Sequence, residues 1–102
     1  MISTMSVLTN GTMIWSDHDG RYHRENGPAI IEPNGVKEYY IHGKKHRLDG
    51  PAYIGRFGAF RWFVNNIEVT DEAIDWLATY RYRWPLNDVQ CVEFKLRFCF
   101  MD

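Results

Sequence analysis

The chain has little of several things, and each shortage excludes something. Only two cysteines, Cys91 and Cys99, occur in 102 residues. They lie eight residues apart in one segment, and a single helix or strand would hold their Cα atoms about 12 Å apart or more. A disulfide needs less than about 7 Å, so two free, mostly buried thiols in a reducing cytoplasm are expected. No apolar run approaches the ~18 residues of a membrane span, and the first residues lack the basic-then-apolar pattern of a secretory signal. A soluble cytoplasmic protein with no membrane partner is the expectation. Charge of one sign is missing too. A net charge of −1 argues against a polybasic nucleic-acid binder and against a highly acidic DNA mimic. There is no Gly-rich phosphate loop, no Ser/His/Asp order and no Cys/His dyad to place a catalytic centre. The histidines His18, His23, His42 and His46 lack the ligand spacing and thiolate partners of a metal site. The sequence therefore points to no enzyme, no cofactor and no metal.

What the chain does have is aromatic side chains, 16% of its residues, and a repeat. Tyr22-His23-Arg24-Glu25-Asn26-Gly27-Pro28-Ala29 returns as Lys45-His46-Arg47-Leu48-Asp49-Gly50-Pro51-Ala52. The shift of 23 residues, His23 to His46, also carries Ile31 onto Ile54, Gly35 onto Gly58, Tyr39 onto Trp62, Tyr40 onto Phe63 and Ile41 onto Val64. Such periodicity outranks local propensity in reading a fold. Gly11 falls on Gly35 and Trp15 on Tyr39 at a shift of 24, whereas Gly20 falls on Gly43 at 23. This marks a degenerate preceding unit with one residue of slippage, of the kind that a bulge or an altered turn absorbs.

The turn residues punctuate the units. Asn10-Gly11 is a hairpin dipeptide. Asn26-Gly27-Pro28 and Asp49-Gly50-Pro51 combine side-chain bonding to the backbone, freedom at φ and a fixed φ. Strands are expected over 12–16, 29–32, 36–42, 52–54 and 60–64, after a frayed start, with Pro28 and Pro51 at strand beginnings. Beyond residue 69 the character changes. Thr70 is read as a capping hydroxyl, with Asp71 and Glu72 in the first helical turn. Ile74, Leu77 and Ala78 form the apolar stripe with Trp76 beside it, and Pro85 ends the segment. Asn87 or Asp88 can cap a last segment, 89–100. There Val92, Phe94, Leu96 and Phe98 alternate as in a strand, while Val89, Val92, Leu96 and Cys99 share one helical face. The cap and the helix-forming Glu, Lys, Leu and Arg favour helix. The fold class is α+β, an antiparallel β-meander of ~23-residue repeats followed by one or two C-terminal helices packing on the sheet. It forms one domain over 1–102, with the repeats in 11–69 and a mostly helical segment in 70–102.

Three groups of residues compete for a functional role. His23-Arg24 and His46-Arg47 could bind phosphate or do acid–base chemistry. Both pairs obey the repeat, as structural positions do, so they are read with Asn26, Gly27, Pro28, Asp49, Gly50 and Pro51 as repeat structure. In the aromatic strands Tyr39 faces one side and Tyr40 the other, as do Trp62 and Phe63 beside Arg61. A meander apolar on both faces needs two covers, and the C-terminal third, with Trp76, Leu77, Val92, Phe94 and Leu96, supplies one. An uncovered aromatic patch would mark a protein-binding site. Finally, Tyr80-Arg81-Tyr82-Arg83-Trp84 interleaves rings with guanidinium groups, which can stack bases and meet phosphates. The competing reading is a helix end whose arginines complement the dipole while the rings pack inward.

The residues Gly35, Glu38-Tyr39-Tyr40-Ile41-His42-Gly43-Lys44, His46-Arg47, Asp49-Gly50-Pro51-Ala52, Gly58 and Arg61-Trp62-Phe63-Val64-Asn65 resemble repeats of the MORN type and their shorter bacterial and phage variants. The His-Arg-x-Asp-Gly-Pro-Ala block between units looks like that of small bacteriophage proteins. The resemblance covers about residues 11–69. It implies stacked β-hairpins of roughly 20–25 residues that serve as scaffolds for binding proteins or membrane lipids. No polybasic cluster favours a lipid here. The expectation is a non-enzymatic protein-binding module, phage-encoded, that inhibits or modulates a host or defence-system macromolecule in the host cytoplasm. The alternative is a small nucleic-acid-binding protein using Tyr80, Arg81, Tyr82, Arg83 and Trp84.

Overall fold

A computed structural model describes residues 3–99 of the chain. Six strands form one antiparallel sheet in the order β1 (Thr4–Val7), β2 (Met13–Ser16), β3 (Ile30–Ile31), β4 (Lys37–Glu38), β7 (Tyr53–Ile54) and β8 (Phe60–Arg61). Two short hairpins leave it: β5 (Tyr40–Ile41) with β6 (Lys44–Lys45), and β9 (Phe63–Val64) with β10 (Ile67–Glu68). Two helices follow, α1 (Thr70–Tyr80) and α2 (Asp88–Phe98). This is the α+β meander with C-terminal helices expected from the repeat.

The units are equivalent in register as well as in residue type. Ile30 pairs with Glu38 and, one unit later, Tyr53 pairs with Arg61. Each unit makes two turns. In the first, Gly35 sits at φ 94° and donates its N–H to the Glu32 carbonyl at 3.0 Å; Gly58, at φ 81°, donates to the Gly55 carbonyl at 3.2 Å. In the second, His42-Gly43 and Asn65-Asn66 both adopt positive φ, as a two-residue hairpin turn requires. The preceding unit matches at Gly11 and takes up its extra residue in the turn Asp17 to Gly20, where Gly20 at φ 81° follows the turn as in a glycine bulge. There the Asp17 carboxylate accepts the N–H groups of Asp19 and Arg21 at 2.9 and 3.0 Å.

Several expectations need correction. The start of the chain is not frayed from residue 4 on: β1 pairs with β2 over four residues, Thr4 with Ser16 through Val7 with Met13. Met1 and Ile2 lie outside the described residues. The strands expected over 36–42 and 60–64 are each broken at their central ring. The Tyr39 N–H still donates to the carbonyl of Ala52, its in-register neighbour just before β7, at 2.8 Å, whereas its own carbonyl turns away to accept from His46 N at 3.0 Å. Tyr39 is therefore the hinge between the large sheet and the side hairpin. Trp62 repeats this, with a substitute acceptor. Its N–H donates to the Thr70 hydroxyl at 2.9 Å, and that hydroxyl donates to Glu68 at 2.8 Å. Thr70 thus does not cap α1: the N-cap is Val69, with no side-chain cap. Helix α1 stops at Tyr80, before Pro85, with Arg81 in a left-handed conformation. Its inner face is Ala73, Trp76 and Leu77, whereas Ile74 and Ala78 are exposed. Helix α2 opens with a full capping box, Asn87 and Gln90 exchanging side-chain and backbone bonds at 2.8 and 3.1 Å. The cap resolves the strand-or-helix ambiguity up to Phe98; the expected end of that segment, Phe100, lies outside the described residues.

The main core joins the last unit to the helices. Trp62, Val64, Val69, Ala73, Trp76, Leu86, Phe94 and Phe98 form one buried cluster. Trp76 meets Phe94 edge-on at 5.6 Å, and Phe94 lies 5.4 Å from Trp62. The inner residues of α2 are thus Phe94 and Phe98, not the expected Val92 and Leu96. Among the described residues no helix is long and apolar enough to cross a membrane.

Candidate functional site

The repeated His-Arg pairs are built into the backbone. His23 is 1% exposed, and its Nδ1 accepts the His42 N–H at 2.9 Å. One unit on, His46 Nδ1 accepts the Asn65 N–H at 3.1 Å. Each imidazole therefore holds the left-handed turn residue of its side hairpin in place. Because Nδ1 accepts, the proton sits on Nε2. In His23 that Nε2 is buried with no hydrogen-bond partner, the nearest charge being Glu25 at 3.9 Å. His23 stacks on His42 at 4.0 Å, and His42 Nδ1 bonds the buried Asp17 carboxylate at 2.8 Å. That bond and the surrounding amide donors hold Asp17 far below the usual carboxylate range.

Burial lowers the pKa of both His23 and His46 from the ordinary 6.5. The folded state then binds protons at these sites less readily than the unfolded state does. Their contribution to stability is complete above about 6.5 and is lost as pH falls from there toward the folded values. Urea midpoints at about pH 7.5 and 5.0 should show the lower stability at the acid value; a flat profile in this window would contradict the assignment.

The arginines cover aromatic rings. The Arg24 guanidinium lies 3.9 Å over Trp15, and Arg47 lies 4.0 Å over Tyr39. At the equivalent position of the last unit, Phe94 of α2 packs on Trp62 instead. Trp62, 2% exposed, is therefore core and not a partner-binding residue. The other ring face is covered in a similar way. Lys45 lies 5.7, 5.5 and 4.9 Å from the rings of Tyr40, Tyr53 and Phe63, and pairs with Glu38 at 3.2 Å. The second cover that the sheet needs is thus supplied largely by the chain's own cations. Tyr39, Tyr40 and Phe63 are half-buried beneath them, while Arg61 is exposed on the edge strand.

The stretch from Tyr80 to Trp84 divides. Tyr82 donates to Glu93 at 3.0 Å and packs on Trp76 at 5.3 Å. Trp84 meets Phe60 at 4.9 Å. Tyr80 stacks on Tyr82 at 5.6 Å but remains 55% exposed, and Arg81 and Arg83 are exposed. The rings that would stack bases are thus largely spent on one another.

Two features were not assigned from the sequence. Helix α2 turns Val89, Val92 and Leu96 outward, 70, 58 and 65% exposed, opposite Phe94 and Phe98. The signal is present in the sequence, since these three fall on one helical face, but Val92 and Leu96 face outward instead of covering the sheet. The second is an open groove of about 640 Å³ between the repeat turns and α2. Arg24, Asn26, Tyr39, Arg47, Asp49 and Cys91 are among its lining residues. It brings both His-Arg blocks to one surface. Cys91 and Cys99 are free, half-buried thiols on and just after α2, with pKa raised by burial. Compared with known proteins, the chain matches no protein-family model, no curated protein and no solved structure.

Proposed function

We propose that this protein is a non-enzymatic protein-binding module whose contact face is the outer side of α2. The observation that carries this reading is a short helix apolar on two opposite sides. Phe94 and Phe98 are buried inward, while Val89, Val92 and Leu96 face water at three- and four-residue spacing. A helix apolar all round belongs in an interior, and a rimmed apolar stripe on a small domain marks a protein contact. The residues that flank it, Lys95, Arg97 and Asp88, are charged, as an interface rim is. The resemblance to short phage repeat proteins supplies the setting: an inhibitor or modulator of a host or defence-system macromolecule, acting in the bacterial cytoplasm.

A photo-cross-linking residue at position 92 should capture one bacterial protein from a lysate. The same residue at Lys37, exposed on β4, should not. Unlabelled protein should compete the adduct away, and a folded Val92→Glu/Leu96→Glu variant should fail to. Equal capture from both positions, no adduct across several hosts, or full competition by the double variant would overturn the reading.

A further inference from the structure

The two His-Arg blocks place their carboxylate differently: Glu25-Asn26 in the first stands where the second has Leu48-Asp49, and all four residues line the groove. Arg47 is clamped on three sides. Its Cζ lies 4.0 Å over Tyr39, a Cβ added at Gly50 would come within 2.8 Å of it, and its Nη1 donates to the Pro51 carbonyl at 3.1 Å. A fourth contact neutralises it: Nε donates to the Asp49 carboxylate at 2.7 Å. Arg24 is clamped in the same three ways, by Trp15 at 3.9 Å, by Gly27, where an added Cβ would lie 3.0 Å from Cζ, and by the Pro28 carbonyl at 3.2 Å. The fourth contact is missing. Asn26 stands where the second unit has Asp49, and Arg24 forms no ion pair among the described residues. A half-buried guanidinium is thus held rigid at the groove lip, with its Nε edge unused.

We propose that Arg24 receives the carboxylate of an aspartate or glutamate side chain from a partner protein, seated where Asp49 sits beside Arg47. This rests on the protein-binding reading, and the groove reaches the edge of that face, since Asp88, which flanks the outer stripe of α2, also lines it. A pre-oriented guanidinium fork loses little freedom on binding a carboxylate, and the charge-assisted bond is among the stronger hydrogen bonds. A single carboxylate fits better than a nucleic-acid backbone. Glu25, Asp49 and Asp88 share the lining and repel an extended polyanion, whereas Asp49 is already paired with Arg47 and Glu25 lies toward His23. The second unit displays the required geometry inside the same molecule.

The test is a titration of the arginine Nε–H resonances by NMR, with Arg24 assigned from its loss in Arg24→Lys. The probes are N-acetyl-aspartate amide, the asparagine analogue and inorganic phosphate. The Arg24 signal should move with the aspartate probe and not with the asparagine one. In Asn26→Asp, which restores the carboxylate in cis, the signal should start shifted and the apparent affinity should fall about tenfold or more. No response in the wild type, an equal response in Asn26→Asp, or a tenfold preference for phosphate would overturn the proposal. Failed cross-linking at position 92 with this titration intact would count against the wider binding reading alone.

Discussion

Trp62→Ala is expected to lower the unfolding free energy by about 3–5 kcal/mol, the largest loss from any single ring in the repeats. Trp62 is 2% exposed and is the ring through which the last unit meets Phe94 of α2. Removing it opens a cavity between two layers that cannot both close on it. A chain of this length has on the order of 5–15 kcal/mol in total, so the variant would lose a large share of its stability. Trp15→Ala, at the equivalent position two units earlier, supplies the control. Trp15 is half-buried, with Arg24 rather than a helix residue over its ring, and its loss should cost about half as much. Urea unfolding followed by circular dichroism measures both. Equal losses at the two positions would show that the helices do not depend on Trp62.

His23→Ala should be nearly as damaging, at about 2–4 kcal/mol, for a different reason. The ring is fully buried and stacked on His42, so its removal leaves a void. It also leaves the His42 N–H, now bonded to Nδ1 at 2.9 Å, without a partner, which costs about 1–3 kcal/mol when the group stays dry. The same substitution at His46 should cost less than half as much, because the Asn65 N–H it satisfies is exposed and water can replace the imidazole. The His23 variant should also lose part of the acid sensitivity predicted above, since the depressed titration disappears with the ring. A His46 variant as damaging as the His23 one would refute this ranking of burial over hydrogen-bond count.

The repeat was legible because turn chemistry is local. Gly35 and Gly58 recur where a positive φ is needed, and the His-Arg-x-Asn/Asp-Gly-Pro-Ala block keeps its spacing. The reading of His23 and Arg24 as structural followed from that recurrence. The competing ligand reading is not empty, however, because Asn26 leaves Arg24 without the carboxylate that Arg47 has. The exchange of Asp49 for Asn26 is visible in the aligned units, but its meaning depends on the clamp of Trp15, Gly27 and the Pro28 carbonyl. Trp62 was misplaced on the surface because alternation tells which residues share a face, not what covers that face.

What the sequence determined by itself is the periodic part: a meander of 23-residue units, its turns, and a capped helical ending. Those features depend on φ preferences, local hydrogen bonds and side-chain alternation, all set within a few residues. What only the tertiary structure decided is which side each amphipathic surface turns. Helix α2 carries Phe94 and Phe98 on one side and Val89, Val92 and Leu96 on the other, and both are apolar. The rings won the interior because they complete the cluster with Trp62 and Trp76, residues well outside their own segment of the chain. Long-range packing competition of this kind leaves no mark in local pattern.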